Sequence, residues 1–241
     1  MNIGFLIPST SKNRNWNSVK DSYLYKFTLS TLKISNNYTF IIYIGFDHDD
    51  DFYTNLKNQK DFKKYFPNFI FKFIPYDKTV EKGHLTKMWN ILYYNAMIDD
   101  NFFIDYFYQC GDDIAFKTNG WLEKSIESMT EHHGIGISGP FNEHTHMLTQ
   151  TLISRKHYDI FGFLFPENIL NWGCDDWLNS VYLPNLVYPI NNELAINSGG
   201  PPRYNISGYN EKNIKRLANN LANNDKHKLN QYLQLKKMHF S

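Results

Sequence analysis

Apolar residues gather in short runs at Ile3 to Ile7, Tyr38 to Phe46, Asn68 to Ile74, Phe102 to Cys110 and Gly134 to Ser138, with helix-compatible segments between most of them. Runs of this length predict strands, and strands alternating with helices predict an α/β fold with a mostly parallel central sheet covered on both faces. Phe40-Ile41-Ile42-Tyr43-Ile44 is apolar at every position, as a central strand buried on both sides requires. The clearest helix runs from His84 to about Asp99, because Leu85, Met88, Trp89, Leu92 and Ala96 recur every three or four residues. Lys87, Asn90 and Tyr94 share a different face of it, available to a cleft. From Glu211 onward the chain is rich in Asn and Lys, with Leu217, Leu221, Leu229, Leu233 and Leu235 scattered along it. That segment reads as one or two surface helices or a partly mobile tail, its cations a solvated face. The expected division is a catalytic domain over 1–206 and a C-terminal helical extension over 207–241, packed on the same domain.

With 241 residues and 28.6 kDa there is length for one large domain and a sizeable core. Hydrophobic residues at 42% and aromatics at 17% mark it as globular. A formal charge of +1, from 25 basic and 24 acidic residues, argues against a phosphate-backbone binder, so nucleic acid is not an expected partner. The two cysteines, Cys110 and Cys174, form no C-x-x-C cluster, which argues against a zinc site or a disulfide framework. Met1 to Pro8 reads as a first strand rather than a signal, and no run approaches membrane-spanning length. The expectation is a soluble, reduced, cytoplasmic protein with no integral membrane segment. The bias toward Asn, Lys, Ile, Tyr and Phe is shared with proteins of AT-rich genomes, including large DNA viruses and some protists.

Both cysteines abut pairs of acids. Cys110-Gly111-Asp112-Asp113 ends a strand pattern, and Gly173-Cys174-Asp175-Asp176 opens a helical one. Adjacent carboxylates repel unless a cation, a helix N-terminus or a proton offsets their charge. Ligands in open α/β sheets sit beyond the carboxyl ends of the strands. The first strand delivers Pro8-Ser9-Thr10-Ser11 there, with Arg14 close behind; the second delivers Gly45 to Asp51, and the fourth the Asp112-Asp113 pair.

Asp112 and Asp113 suit an oxygen-ligated Mg²⁺ or Mn²⁺ bridged to a diphosphate, the alternative being a turn in which one Asp bonds its own backbone. Within Asp47 to Asp51 an acid either caps a helix or accepts from a base N–H or ribose hydroxyl, and Asp47, nearest the strand end, is the candidate for the second role. Trp172 to Leu178 reads as an N-capped helix or as a sugar platform of Trp172 and Trp177 beside a general base. Asn197 to Tyr204 offers Gly199, Gly200 and Arg203 to a phosphate, or forms a plain turn. His144 and His146 lack a third ligand nearby and read as part of a loop. There is no G-x-S-x-G and no local Cys-His signature for nucleophilic catalysis.

Taken together, these residues resemble the GT-A glycosyltransferases, nucleotide-sugar-dependent enzymes with a Rossmann-like sheet and an Asp-x-Asp metal motif. The resemblance extends from Ile3 to about Tyr204. Ile7-Pro8-Ser9-Thr10 with Arg14 looks like the first nucleotide-binding loop, and Asp47 falls where a base- or ribose-binding acid is usual. Gly83 and the helix bearing Lys87 and Asn90 look like the segment that contacts nucleotide and donor sugar. Gly111-Asp112-Asp113 falls at the metal motif, and Trp172 to Asp176 resembles the acidic motif that supplies the base of inverting members. The layout, including Gly139-Pro140 and Arg203, is similar to that of glycosyltransferase domains from large DNA viruses. Two departures stand out: Gly111 occupies the first position of the metal motif, and neither His227 nor His239 sits in a convincing metal-ligand motif.

The resemblance implies a metal-dependent hexosyl- or pentosyltransferase. It would move a sugar from a nucleoside diphosphate sugar, a UDP-sugar above all, to a hydroxyl of a carbohydrate or glycoprotein acceptor. Asp113, helped by Asp112, would hold Mn²⁺ or Mg²⁺; Lys87 and Arg203 would add positive charge; Asp176 or Asp175 would be the base. Two rivals remain at this point. A sugar-nucleotide pyrophosphorylase usually carries a Gly-rich basic loop where Pro8-Ser9-Thr10 has no glycine, and a non-catalytic carbohydrate-binding module would use the tryptophans alone. The weak basic bias disfavours a metal-dependent nuclease.

Overall fold

Alternation along the first strands decides the layering. Ile3, Phe5 and Ile7 of β1 (Asn2–Pro8) and Phe40, Ile42 and Ile44 of β2 (Thr39–Asp47) point to one face, while Leu6, Ile41 and Tyr43 point to the other, and both sets are buried. The computed structural model describes residues 1–33, 37–142, 147–200 and 210–237. In it β1 and β2 pair in parallel with each other, β2 with β3 (Phe69–Tyr76) and β1 with β4 (Tyr106–Gln109). The other four strands are β5 (Ile114–Phe116), β6 (Ile137–Phe141), β7 (Thr151–Ser154) and β8 (Val187–Asn197), and the full order is β3-β2-β1-β4-β7-β6-β8-β5. Pairing is parallel from β3 to β4 and mixed beyond, where β7 runs antiparallel to both β4 and β6.

The helices are α1 (Asp51–Thr54), α2 (Leu56–Tyr65), α3 (Leu85–Met97), α4 (Trp121–Glu131), α5 (Lys156–Phe161), α6 (Cys174–Tyr182) and α7 (Glu211–Leu235). One face of the sheet packs against α2 and α4, through Phe62, Trp121, Ile126 and Met129. The other packs against α3, α5, α6 and α7, through Trp89, Leu92, Phe161 and Trp177.

The strand boundaries differ in places from the expected ones, as β6 starts only at Ile137. The run from Phe102 yields a strand only from Tyr106, because the carbonyl of Ile104 is taken by the Arg155 guanidinium at 3.1 Å and Asp105 accepts from the Asn2 N–H at 2.7 Å. The short strands β5 and β7 and the polar β8 carry no period long enough to read. In β8 the register shifts opposite Pro140 and Phe141, and Asn192 has a φ of 69°.

The tail is one 25-residue helix, packed through Ala218, Ala222, Asp225 and Leu229 rather than through the leucines at large, since Leu217 and Leu235 are exposed. Asp225 accepts from the Trp177 indole at 3.2 Å, tying α7 to α6, and pairs along α7 with Lys228 at 2.8 Å. Among the described residues no helix is long and apolar enough to cross a membrane.

Candidate active site

Beyond the carboxyl ends of β1, β2 and β4, where the strand order switches from β2 on one side of β1 to β4 on the other, lies a cavity of about 560 Å³. One wall is built on hydrogen bonds between loops. Asp50, buried, accepts from the Ser11 N–H at 2.7 Å and hydroxyl at 2.8 Å, from the Thr10 hydroxyl at 3.2 Å, and from Phe52 and Tyr53 N–H at 3.1 Å. Asp50 is thus the capping acid of the Asp47–Asp51 run, and it stitches the loop after β1 to the start of α1. Asp47 stays at the end of β2 and lines the cavity with Pro8, Ser9 and Thr10.

The Ser9 hydroxyl donates to Asp112 Oδ2 at 2.5 Å. Its single proton is thereby used, so the Tyr53 hydroxyl at 2.6 Å donates to it. Thr28, in a π-helical stretch (Leu24–Leu29), spans the acid turn: it accepts from Ile114 N–H at 3.2 Å and donates to the Gly111 carbonyl at 3.3 Å. Gly111 N–H donates to Gln150 Oε1 at 3.2 Å, and Ser198 N–H to the Asp113 carbonyl at 2.8 Å. Asp113 lies in a glycine cradle. A Cβ at Gly199 would stand 1.9 Å from its Oδ2, and one at Gly111 2.6 Å from its Oδ1.

Another wall starts at Gly173, whose φ of 92° admits few other residues and whose missing Cβ leaves room for Ile214 of α7. Asp175 and Asp176 follow in the first turn of α6, where the helix dipole favours negative charge. Burial, and then the neighbouring charge of Asp176, push the Asp175 carboxyl up to about 7, although the residue keeps some surface on the cavity. Burial also raises the Cys174 thiol, whose Sγ lies 3.7 Å from Asp175 Oδ1. Asn179 fixes the helix to the neighbouring loop, donating to the Asp175 and Leu148 carbonyls at 2.9 and 2.7 Å.

The structure therefore brings Pro8, Ser9, Thr10, Asp47, Asp112, Asp113, Asp175 and Asp176 to one cavity. Other candidates sit elsewhere. Arg14 lies outside the wall with its guanidinium 4.6 Å from the Tyr23 ring centroid. Lys87 is off the wall as well, because α3 turns its apolar Leu85, Met88 and Trp89 to the cavity. Asn90 clasps a loop instead: its Oδ1 accepts from Leu164 and Phe165 N–H at 3.0 and 2.9 Å, and its Nδ2 donates to the Phe165 carbonyl at 2.8 Å.

Gly199 offers no N–H to a phosphate, since that group donates to Asn197 Oδ1 at 3.1 Å; its part is to make room for Asp113. The two-tryptophan platform is also corrected, because Trp177 is wholly buried and only Trp172 faces the cavity. His227 is exposed on α7, and Arg203, His144, His146 and His239 lie outside the described residues.

Sequence reading missed Thr28, Tyr53 and Gln150, and also Glu211, Ile214 and Lys215, which line the cavity from the start of α7. For α7 a signal existed: the stripe Ala218, Ala222, Asp225 and Leu229, extended two turns back, reaches Ile214, Lys215 and then Glu211.

Two adjacent carboxylates on a cavity wall, one of them packed against glycines that leave room for it, suit a divalent cation bound partly by substrate oxygens. Among the described residues no cluster of three His, Cys, Asp or Glu completes a shell. The residues present fit a metal that keeps positions open to a substrate.

The structure is similar to S. aureus TarS in complex with UDP-GlcNAc, with a TM-score of 0.57 and 12% identity over 97% of this chain and 73% of that one. It is similar to the mannosyltransferase PcManGT from Pyrobaculum calidifontis in complex with GDP-Man and Mn²⁺, with a TM-score of 0.57 and 8% identity over 89% and 60%. GalNAc-T7 with UDP, GalNAc and Mn²⁺ gives a TM-score of 0.58 and 11% identity over 90% and 47%. The fold is GT-A. This GT-A chain spans 44% of the length of another TarS structure, with a TM-score of 0.55. No protein-family model and no curated protein sequence matches it.

Proposed function

We propose that the chain is a glycosyltransferase moving a hexose or pentose from a nucleoside diphosphate sugar, preferably a UDP-sugar, to an acceptor hydroxyl. The observation that carries this reading is the single cavity whose walls hold both Asp112-Asp113 and Asp175-Asp176. Solved structures of similar fold bound to UDP-GlcNAc, GDP-Man and UDP support it, and two of them contain Mn²⁺.

Asp113 and Asp112 would hold Mn²⁺ or Mg²⁺, which when bound supplies positive charge to the departing diphosphate. Ser9 fixes Asp112 through its hydrogen bond, so that Asp113 is the more exposed carboxylate of the pair. Asp47 accepts from a ribose hydroxyl or base N–H against the Pro8-Ser9-Thr10 wall. For an inverting reaction Asp176 takes the proton of the attacking hydroxyl as the new bond to the anomeric carbon forms and the bond to the diphosphate breaks.

The test is a thermal-shift screen of UDP-, GDP- and CDP-sugars with and without Mn²⁺, combined with release of nucleoside diphosphate without added acceptor. One donor class should raise the Tm only with metal and be slowly hydrolysed. A flat response across the panel overturns the proposal.

A further inference from the structure

We infer that the cavity mouth carries an acceptor subsite for a carbohydrate, built from Trp172 and from Glu211 and Lys215 of α7. The inference rests on the glycosyltransferase reading and names the acceptor class for that site. Trp172 lines the cavity, is 37% exposed and stands four residues before Asp176. Ile214 abuts Gly173, the residue after Trp172, so Glu211 and Lys215 on the same face of α7 flank the same corner. The register of α7 is held from below by Ala218, Ala222 and the bond from Trp177 to Asp225. The stripe that packs on α6 thus becomes cavity wall where α6 begins.

Glu211 and Lys215 pair at 2.7 Å with side chains 65% and 54% exposed. So open a pair contributes little to stability. It does place acceptor oxygens and N–H donors beside an indole face. A pyranose presents the complement, an apolar C–H face for the ring and hydroxyls around its edge. Recognition of a peptide would use a strand edge or a long groove, whereas the described residues of this corner present an indole and side-chain termini.

The test uses the full chain with Mn²⁺ and the donor found above. Transfer is measured to p-nitrophenyl hexosides and pentosides and, in parallel, to Ser- and Thr-containing peptides. Transfer to glycosides is expected, with Trp172→Ala raising the acceptor KM about tenfold and shifting the partition between transfer and donor hydrolysis toward hydrolysis. Trp172→Phe should recover most of that loss, and Glu211→Gln and Lys215→Met should fall between. Transfer only to peptides, or an unaltered KM and partition in Trp172→Ala, overturns the inference while leaving the enzyme reading in place. A chain that neither binds nor hydrolyses any donor loses both.

Discussion

Asp112-Asp113 and Asp175-Asp176 line one cavity, yet their charges are accommodated in different ways. The first pair is held by side chains from distant parts of the chain: Ser9 on Asp112, Thr28 across the turn, Gln150 on Gly111, and Gly199 making room for Asp113. Those groups orient the carboxylates and keep Asp113 on the cavity wall, an arrangement suited to a cation. The second pair is held by a helix start, a glycine in the left-handed region and the flank of α7. There the repulsion is relieved partly by a proton, because Asp175 is pushed up to about 7. Two neighbouring carboxylates can be kept by a counter-cation or by protonating one of them, and this cavity contains an arrangement for each.

If that contrast holds, the largest loss comes from the cation side. Asp113→Asn should lower donor turnover on the order of 10³-fold and abolish the Mn²⁺-dependent thermal shift, while the variant stays folded. Retained metal-dependent turnover would remove Asp113 from the metal site. Next in size is Asp176→Asn, expected to lower transfer about 10²- to 10³-fold with a much smaller change in donor affinity by titration calorimetry. Equal losses in transfer and donor affinity would make Asp176 a binding acid and erase the proposed distinction between the pairs.

The sequence shows the two pairs but hides most of what separates them. Strands β1, β2 and β3 and helix α3 were legible because their apolar periods run for seven residues or more, and three strand ends could be aligned at one edge. Thr28 and Gln150 were not legible, since they meet Gly111 from 83 and 39 residues away and nothing local marks them. Asp50 and Asp47 could not be told apart by composition; only the five donors converging on Asp50 identify the cap. Asn90 clasps a loop, a role sequence does not show, since a polar face of α3 serves a loop as well as a ligand. Trp177 was misread because an indole beside acids looks the same in sequence whether it stacks on a sugar or donates to a buried Asp225.

A smaller effect tests the packing that supports the second pair. Gly173→Ala puts a Cβ 2.5 Å from Ile214 Cγ2 at a φ of 92°, and should cost about 2 kcal/mol by urea denaturation. Ile214→Ala in the same background should recover the part of that loss due to the clash and leave the part due to the backbone. If Gly173→Ala were as stable as the parent, α7 would not be wedged against the start of α6, and the corner shared by Trp172, Glu211 and Lys215 would lose its support.

A pH-dependent effect separates the proton from the cation most directly. An Asp in the unfolded chain releases its proton near 3.8, whereas native Asp175 holds its proton to about 7. Between those values the native state binds more protons than the unfolded one, so Asp175's contribution to stability falls as pH rises through the window and levels off above it. Asp175→Asn carries no titrating proton there. Its Tm relative to the parent should therefore improve steadily from pH 4 to pH 7 and then run parallel, as read by calorimetric scans in buffers of matched ionic strength. Parallel profiles across the whole range would mean that Asp175 is already ionised at pH 4. The two carboxylates of α6 would then rely on the helix N-terminus alone, and the two walls of the cavity would no longer differ in how they hold charge.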